Sequence, residues 1–395
     1  MRIAMIGPFG LHPNKTMESR ALGLARPLVA NGHSVRLIMP AWHTPDEADK
    51  TWEVDGVEMR YVPLRGGTVG ITRQMVTELL AWRPDVVHCF KPKAYSGLVA
   101  WWLWHHRWWL WHFHRRQLRL FVDSDDWEGW GGWNDLAPYS PPQKQFFAWQ
   151  EQWGMRHCHG LTVASRTLQS LAWGAGVPPE RVVYLPNGAG IQTFKTSKVS
   201  KTSEICQHLG QRPVLLLYSR LFEFDTARLV AILRGVKTAV PDLAILTVGA
   251  GLYAEDAAAF RAQITAVNLQ DAFVEAGWVD VDELPALLAC ADVGIYLMDD
   301  TLLNRTKCPV KLADMVAVGL PVVAEAVGQV PEYVVDGYNG RLRPSGDITG
   351  LTADLVALLQ QKEERQRLGE NGRLHYQTHF AWAQLAQRLE ELYLR

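Results

Sequence analysis

The chain reads as an α/β protein of two Rossmann-like, doubly wound parallel-sheet domains facing across a cleft. Three observations predict it. Short apolar runs recur throughout the 395 residues, helical patterns separate them, and one polar stretch divides the series in two. Strands that alternate with helices imply a parallel sheet covered on both faces.

The first series opens with an apolar strand at 3–7 that ends in the turn Gly7-Pro8-Phe9-Gly10. An amphipathic helix is expected over 17–30, where Asn31-Gly32 stops it. Further strands are expected at 34–39, 86–89, 120–122, 161–164 and 182–185. Between 191 and 213 the character changes, with Lys195, Lys198 and Lys201 among serines and threonines, as in a linker. The pattern then restarts with strands at 214–218, 244–248, 273–275, 293–297 and 321–323, and helices at 354–359 and 382–394. The boundaries drawn from this are a first domain at 1–190, a linker at 191–212, a second domain at 213–375 and a terminal segment at 376–395. Ligands of such sheets bind beyond the carboxyl ends of the strands, so the cleft is the expected site.

Composition narrows the function. The formal net charge of -1 argues against a dedicated nucleic-acid binder. Five cysteines, widely spaced and without a C-x-x-C, suggest neither a disulfide framework nor a zinc site, and so a reducing, cytoplasmic compartment. Residues 1–8 run straight into a strand, without the basic region and cleavage site of a signal peptide. The apolar stretch 94–113 is interrupted by His105, His106 and Arg107 and is not expected to span a membrane.

The densest signal is the segment 304–340, NRTKCPVKLADMVAVGLPVVAEAVGQVPEYVVDGYNG. Pro309 suits the first turn of a helix over 310–318, which Gly319 stops before the strand of Leu320 to Ala324. A helix N-terminus offers free N–H groups and a partial positive charge, in which phosphate binds well. Lys311 would add an ammonium there, and Asp314, three residues on, shares its face. An ionised carboxylate is a pure acceptor, suited to two vicinal ribose hydroxyls.

This segment resembles the donor-site region of the GT-B glycosyltransferases, family 4 in particular. The pattern K-L-x-D/E-x-x-A-x-G-x-P-V-V-A falls on Lys311, Leu312, Asp314, Ala317, Gly319 and Pro321 to Ala324. Gly328 with a displaced Glu332, and then Asp336 to Gly340, follow it. Pro84-Asp85-Val86-Val87-His88, the DSDDWEG of 123–129, the TVASR of 162–166 and the YLPNG of 184–188 extend the likeness over nearly the whole chain. The resemblance implies a GT-B fold whose first domain is acceptor-side and whose second binds a nucleoside diphosphate sugar, with the terminal segment returning to the first domain. It implies retaining transfer of a hexosyl or related group to a hydroxyl acceptor, without metal or cofactor, and it gives Asp314 the ribose. Two positions depart from the pattern. Thr306 stands where the family often has a second glutamate, and the 219–224 loop supplies Arg220 for the diphosphate but no lysine, a gap that Lys311 is expected to fill.

Candidates in the first half lie at strand ends. Gly10, in the first turn, would let backbone N–H groups approach a donor, or is an ordinary tight turn. Asn14 and Lys15 follow in the same loop and could reach an acceptor. His88 is read at the end of a strand, structural or, by resemblance, beside the donor sugar, and the resemblance makes it a candidate catalytic residue together with Asp126, Arg220 and Lys311. Asp123, Asp125, Asp126 and Glu128 crowd the next strand end, where four carboxylates repel unless a cation, a hydroxyl or a raised pKa intervenes. Asp126 and Glu128 are read as hydroxyl contacts, with an Asp123/Asp125 metal site as the weaker alternative. Trp127, Trp130 and Trp133 offer faces to a sugar or roof the sheet, and Trp278 is expected to border the base.

Six tryptophans fall within 101–111, together with Arg107, Arg115, Arg116 and Arg119. They are either core packing or a segment resting at a lipid headgroup layer, at the inner face of the membrane. A competing signal is the G-x-G-x-x-A of 249–254, which taken literally would make the chain an NAD(P)-dependent oxidoreductase. Against that reading, a strand and helix already precede it. A third possibility is a sugar-nucleotide-binding protein without activity, on account of Thr306.

Overall fold

The computed structural model describes residues 1–13, 16–114, 118–190, 201–249, 251 and 253–395, with the backbone alone at 109–114, 201 and 203. The chain divides into two compact units. The first comprises Met1–Gly188, Arg305–Cys308 and Trp382–Arg395, and the second Ala189–Asn304 and Pro309–Ala381.

The first unit is built on eight strands, β1 (Arg2–Ile6), β2 (Ser34–Pro40), β3 (Thr51–Val54), β4 (Val57–Val62), β5 (Val86–Phe90), β6 (Arg119–Ser124), β7 (Gly160–Val163) and β8 (Val182–Tyr184). Its helices are α1 (Leu22–Ala30), α2 (Gly67–Trp82), α3 (Ala94–His114), α4 (Trp133–Leu136), α5 (Pro141–Arg156) and α6 (Arg166–Gly174). A π-helical turn, Met17–Ala21, precedes α1 where a continuous helix is expected from sequence. The sheet order is β3-β4-β2-β1-β5-β6-β7-β8, parallel throughout except for the β3–β4 pair. Asp55 and Gly56, both at positive φ, turn that hairpin, as an Asp-Gly pair does between strands of right-handed twist.

The second unit carries six parallel strands, β9 (Val214–Tyr218), β10 (Ala244–Val248), β11 (Phe273–Gly277), β12 (Val293–Tyr296), β13 (Val322–Glu325) and β14 (Gly340–Arg343), in the order β11-β10-β9-β12-β13-β14. Its helices are α7 (Lys201–Leu209), α8 (Thr226–Ala239), α9 (Ala254–Ala266), α10 (Leu284–Leu288), α11 (Leu302–Thr306), α12 (Val310–Ala317), α13 (Val330–Tyr333), α14 (Ile348–Gln360) and α15 (Lys362–His379). The last helix, α16 (Trp382–Leu394), belongs to the first unit. There it packs on α1 and buries Leu385, Leu389 and Tyr393 in the core. Gly23 makes the approach possible, since a Cβ there would lie 2.6 Å from the Trp382 ring.

In each sheet the strand order reverses at one point, beside β1 and β5 in the first and β9 and β12 in the second. Chain segments leaving adjacent strands there diverge to opposite faces and open a crevice at the carboxyl ends. The fold thus fixes where each unit offers a site.

Two sequence-based expectations change. Residues 201–209 of the expected linker form α7, while 191–200 lie outside the described residues. Cys206 of α7 is disulfide-bonded to Cys290, just past α10, with Cα atoms 5.8 Å apart, which corrects the expectation of unpaired cysteines. Spacing cannot reveal a bridge between residues 84 apart in sequence. Cys89, Cys158 and Cys308 are free and buried. Thiol titration of the denatured protein is therefore expected to find three groups before reduction and all five after it; five without reductant would show the bridge to be unformed.

Candidate functional site

The second unit's crevice is made by three short segments. Strand β9 ends at Tyr218, and the chain turns away through Ser219, Arg220 and Leu221, the last at φ 62°. Helix α12 starts at Val310 with Pro309 as its N-cap, so Lys311 lies in the first turn. Gly249, after β10, holds φ 91°, and a Cβ on it would lie 3.2 Å from the Ser219 carbonyl and 3.7 Å from Lys311 Nζ. The glycine turn, the Arg220 loop and the α12 N-terminus thereby meet.

Lys311 Nζ sits 4.5 Å from the Tyr218 ring centroid. Burial, and then the positive charge of Arg220, pull its pKa down to about 8. Arg220 is half exposed and pairs with Glu223 at 2.8 Å. Its guanidinium lies over Phe222, 4.8 Å from the centroid. Two cations in one crevice, one of them hard to protonate, make a place that an anion would relieve.

Asp314 is almost fully buried. It accepts a hydrogen bond from the Gly190 N–H at 2.7 Å and engages the Tyr218 hydroxyl, whose pKa burial and Asp314 together raise. The carboxylate therefore faces inward, tied to β9 and Gly190. Leu312, which the resemblance places among the donor-binding residues, has no exposed surface and packs in the core: one residue on from Lys311, it is rotated by about 100° around the helix axis, which corrects a donor contact by its side chain. Trp278 is 82% exposed, directly after β11. A cavity of about 310 Å³ extends from Ser219 and Gly249 past Thr247, Phe260 and Phe273 to Gly277. Gly249 and Gly251 fall beside Lys311 and Arg220, and they follow β10 rather than a strand at the switch point, which is not where a dinucleotide turn sits. Ala250 and Leu252 of that motif lie outside the described residues.

The first unit's crevice is differently charged. Gly10 is buried against Tyr61, whose hydroxyl accepts from the Leu11 N–H at 2.9 Å, and a Cβ on Gly10 would crowd that hydroxyl at 2.9 Å. Its role here is close packing of a loop. Asn14 and Lys15 lie outside the described residues.

His88 is not at the rim. All of β5 is buried, and His88 sits in its middle with no exposed surface. Thr162 donates to Asp123, so its oxygen accepts from His88 Nε2–H at 3.1 Å, and His88 Nδ1 accepts from the Tyr393 hydroxyl at 2.7 Å. Burial brings the imidazole pKa down to about 4. A neutral, fully partnered histidine in the core is a structural one, which corrects the expected place beside a sugar. Asp123 is held by Arg20 through two contacts of 2.7 and 2.6 Å.

Two lysines that sequence reasoning passed over resolve the crowding of carboxylates after β6. Lys91 Nζ lies 3.6 Å from Asp125 and 3.1 Å from both Asp126 and Glu128. Burial alone would depress its pKa, but the three acids outweigh that and hold it well above the usual lysine value. Lys93 pairs with Glu128 at 2.5 Å. Glu128 is thus buried between two ammonium groups, and its expected acceptor contact is corrected. Asp126 keeps part of its carboxylate in the open. Burial and neighbouring carboxylates raise Asp125 to about 6 and Glu151, on α5, to about 8. The only signal for Lys91 and Lys93 was two basic residues in a strand-end loop, which ordinarily read as solvated. Among the described residues no group of three His, Cys, Asp or Glu could hold a metal ion; Asp123 is committed to Arg20, and Asp125 accepts from Thr16 at 2.9 Å.

Residues 15–188 match the family described as "Glycosyl transferase 4-like domain", and residues 212–361 the one described as "Glycosyl transferases group 1". The chain belongs to the group 1, family 4-like glycosyltransferases. A curated relative, the GDP-mannose-dependent alpha-(1-6)-phosphatidylinositol monomannoside mannosyltransferase of Mycolicibacterium smegmatis, is 27% identical over 59% of this chain and 61% of its own length. This glycosyltransferase thus spans under two thirds of the length of that relative. Among solved structures, Anabaena HepE in complex with UDP-glucose superposes with a TM-score of 0.68 at 17% identity, covering 99% of this chain and 98% of that one. The catalytic domain of starch synthase IV from Arabidopsis thaliana, bound to ADP and acarbose, gives 0.71 at 14%, covering 100% and 99%. Both share the GT-B fold of two parallel-sheet α/β units.

The raised Glu151 pKa carries a sign. A carboxyl whose folded pKa stands near 8, against an ordinary 4.5, stabilises the fold below about 4.5 and loses that contribution as pH rises through about 8. Glu151→Gln, which mimics the protonated acid, is expected to flatten this part of the stability profile. Melting curves of the two proteins between those limits should converge at low pH and separate at high pH, in favour of the variant; parallel profiles would remove the assignment.

Proposed function

We propose that this protein transfers a hexosyl or related group from a nucleoside diphosphate sugar to a hydroxyl acceptor, with retention of anomeric configuration. The observation that carries the reading is that Arg220 and Lys311, which follow the two strands at the switch point of the second unit's sheet, meet the Gly249 turn. A diphosphate needs that combination of cations, free N–H groups and close backbone. Relatives support it: one is GDP-mannose-dependent, and others bind UDP-glucose or ADP.

On this reading the diphosphate lies against Arg220, Lys311 and the first turn of α12. Asp314 receives the ribose, its hydroxyls competing for the acceptor capacity now given to Gly190 and Tyr218. The base enters the cavity that runs toward Gly277, near Trp278. Asp126 meets the acceptor hydroxyl, since Lys91 holds it in place and part of it stays exposed. The bond from the anomeric carbon to the diphosphate breaks, and the bond to the acceptor oxygen forms on the same face. The acceptor's proton passes to the leaving phosphate oxygen. Developing negative charge on the diphosphate is what Arg220 and Lys311 stabilise. Peripheral membrane contact through residues 101–119 belongs to the same reading, with a lipid-linked acceptor as one source of the hydroxyl.

Thermal-shift screening against UDP, GDP, ADP and TDP selects the base. With the nucleotide that binds, Lys311→Ala should raise Kd roughly 10- to 150-fold, the worth of one charge-assisted hydrogen bond. An unchanged Kd would end the diphosphate role. Because the Lys311 ammonium deprotonates as pH rises through about 8, wild-type affinity should fall there, whereas Lys311→Arg keeps its charge and its affinity. NMR of the product anomer tests retention directly, and inversion would overturn it.

A further inference from the structure

Helix α3 is turned the wrong way for a core helix rich in tryptophan. Its aliphatic residues Val99, Ala100 and Leu103 face the interior with at most 2% exposure, while Trp101 is 38% and Trp108 68% exposed. Beside it, α5 leaves Phe146 at 40% and Trp149 at 43%. The two sets join into one surface. His105 stacks on Trp153 with centroids 5.6 Å apart, and Trp153 leads through Trp149 to Phe146 at 6.1 and 5.7 Å. The α5 half of this ribbon did not show in sequence, where its aromatics are mixed with glutamines.

The charges that α3 and α5 themselves expose have one sign. No aspartate or glutamate occurs from residue 86 to 122, and the single acid of α5, Glu151, is buried. The Arg107 guanidinium lies over the Trp104 ring, 4.4 Å from its centroid, in the exposed part of α3, and Arg156 stands exposed at the end of α5. Indole rings with polar edges, a guanidinium seated on one of them, and no exposed acid on either helix match a headgroup layer of negative charge. No helix among the described residues is long and apolar enough to cross a membrane.

We infer that the α3–α5 face of the first unit docks on the surface of an anionic lipid bilayer, lying on it rather than spanning it. This deepens the membrane contact of the proposed function and rests on that reading only for its purpose, which is to bring a lipid-linked acceptor to the enzyme. The partner is the lipid surface itself, and the aromatic ribbon and the arginines act together.

The test is co-sedimentation of the full chain with vesicles of phosphatidylcholine alone and of phosphatidylcholine with about one third phosphatidylglycerol, at low and high salt. Binding to the anionic vesicles is expected to exceed that to neutral ones at least about tenfold and to weaken with salt. Replacing both arginines (R107E with R156E), or both tryptophans (W101S with W149S), should each lower it about tenfold or more. The substituted residues are exposed, and an unchanged nucleotide-induced thermal shift in each variant reports that the fold survives. Absence of vesicle binding, equal binding to neutral vesicles, or tryptophan variants that bind as wild type would overturn the inference. So would a dimer, seen by light scattering, that W149S dissolves while vesicles are ignored, because the face would then belong to a second copy. Nucleotide binding without vesicle binding ends the docking surface alone; vesicle binding without any nucleotide response ends the proposed donor site alone.

Discussion

The first unit depends on one buried ion pair. Arg20 and Asp123 have almost no exposed surface and meet through two contacts. Removing one partner of such a pair leaves an uncompensated buried charge and typically costs about 3–5 kcal/mol. Here the pair also sets what surrounds it. Asp123 takes the Thr162 proton, which fixes the His88 tautomer, which in turn accepts from Tyr393 of α16. Arg20 donates to Asn187, and Asn187 bonds the main chain of Cys308. Strands β5, β6 and β7, the terminal helix and the Arg305–Cys308 segment are thereby tied to one charge pair. The π-helical turn gives Arg20 its direction, an irregularity of the kind that recurs at functional sites.

The two crevices solve the problem of like charges differently. After β6 the carboxylates are neutralised from within, by Lys91 and Lys93 and by protonation of Glu151 below about 8. What remains at the surface is Asp126, held in one orientation. After β9 the cations are only partly answered, since Arg220 has Glu223 while Lys311 is left with a depressed pKa. A crevice that keeps an unrelieved positive charge attracts anions, whereas one that balances its charges internally does not.

Much of this was legible in the residues. Strands β9 and β10 and helix α16 fall where apolar periodicity puts them, because short buried strands between helices leave an unambiguous pattern. The β3–β4 hairpin was missed although Asp55-Gly56 marks it, as alternation in WEVDGVEMRYV is weak beside the longer runs. Lys311 and Asp314 share a helix and could be placed together from spacing alone. Lys91 and Lys93 could not be tied to Glu128, since a contact across 35 residues leaves no periodic trace. His88 was misplaced for a related reason. A strand buried on both faces has no rim, and sequence shows that only through the β1 and β6 neighbours it cannot name.

The Lys311 pKa links the donor crevice to pH in a way that charge counting alone would miss. At neutral pH the ammonium is mostly present, but burial and Arg220 make it expensive to keep. On the proposed reading, a diphosphate bound there would replace the lost solvation with a direct opposite charge and so raise the pKa again. Above about 8, binding must then draw a proton from solution, and part of the binding free energy is spent on protonating the lysine.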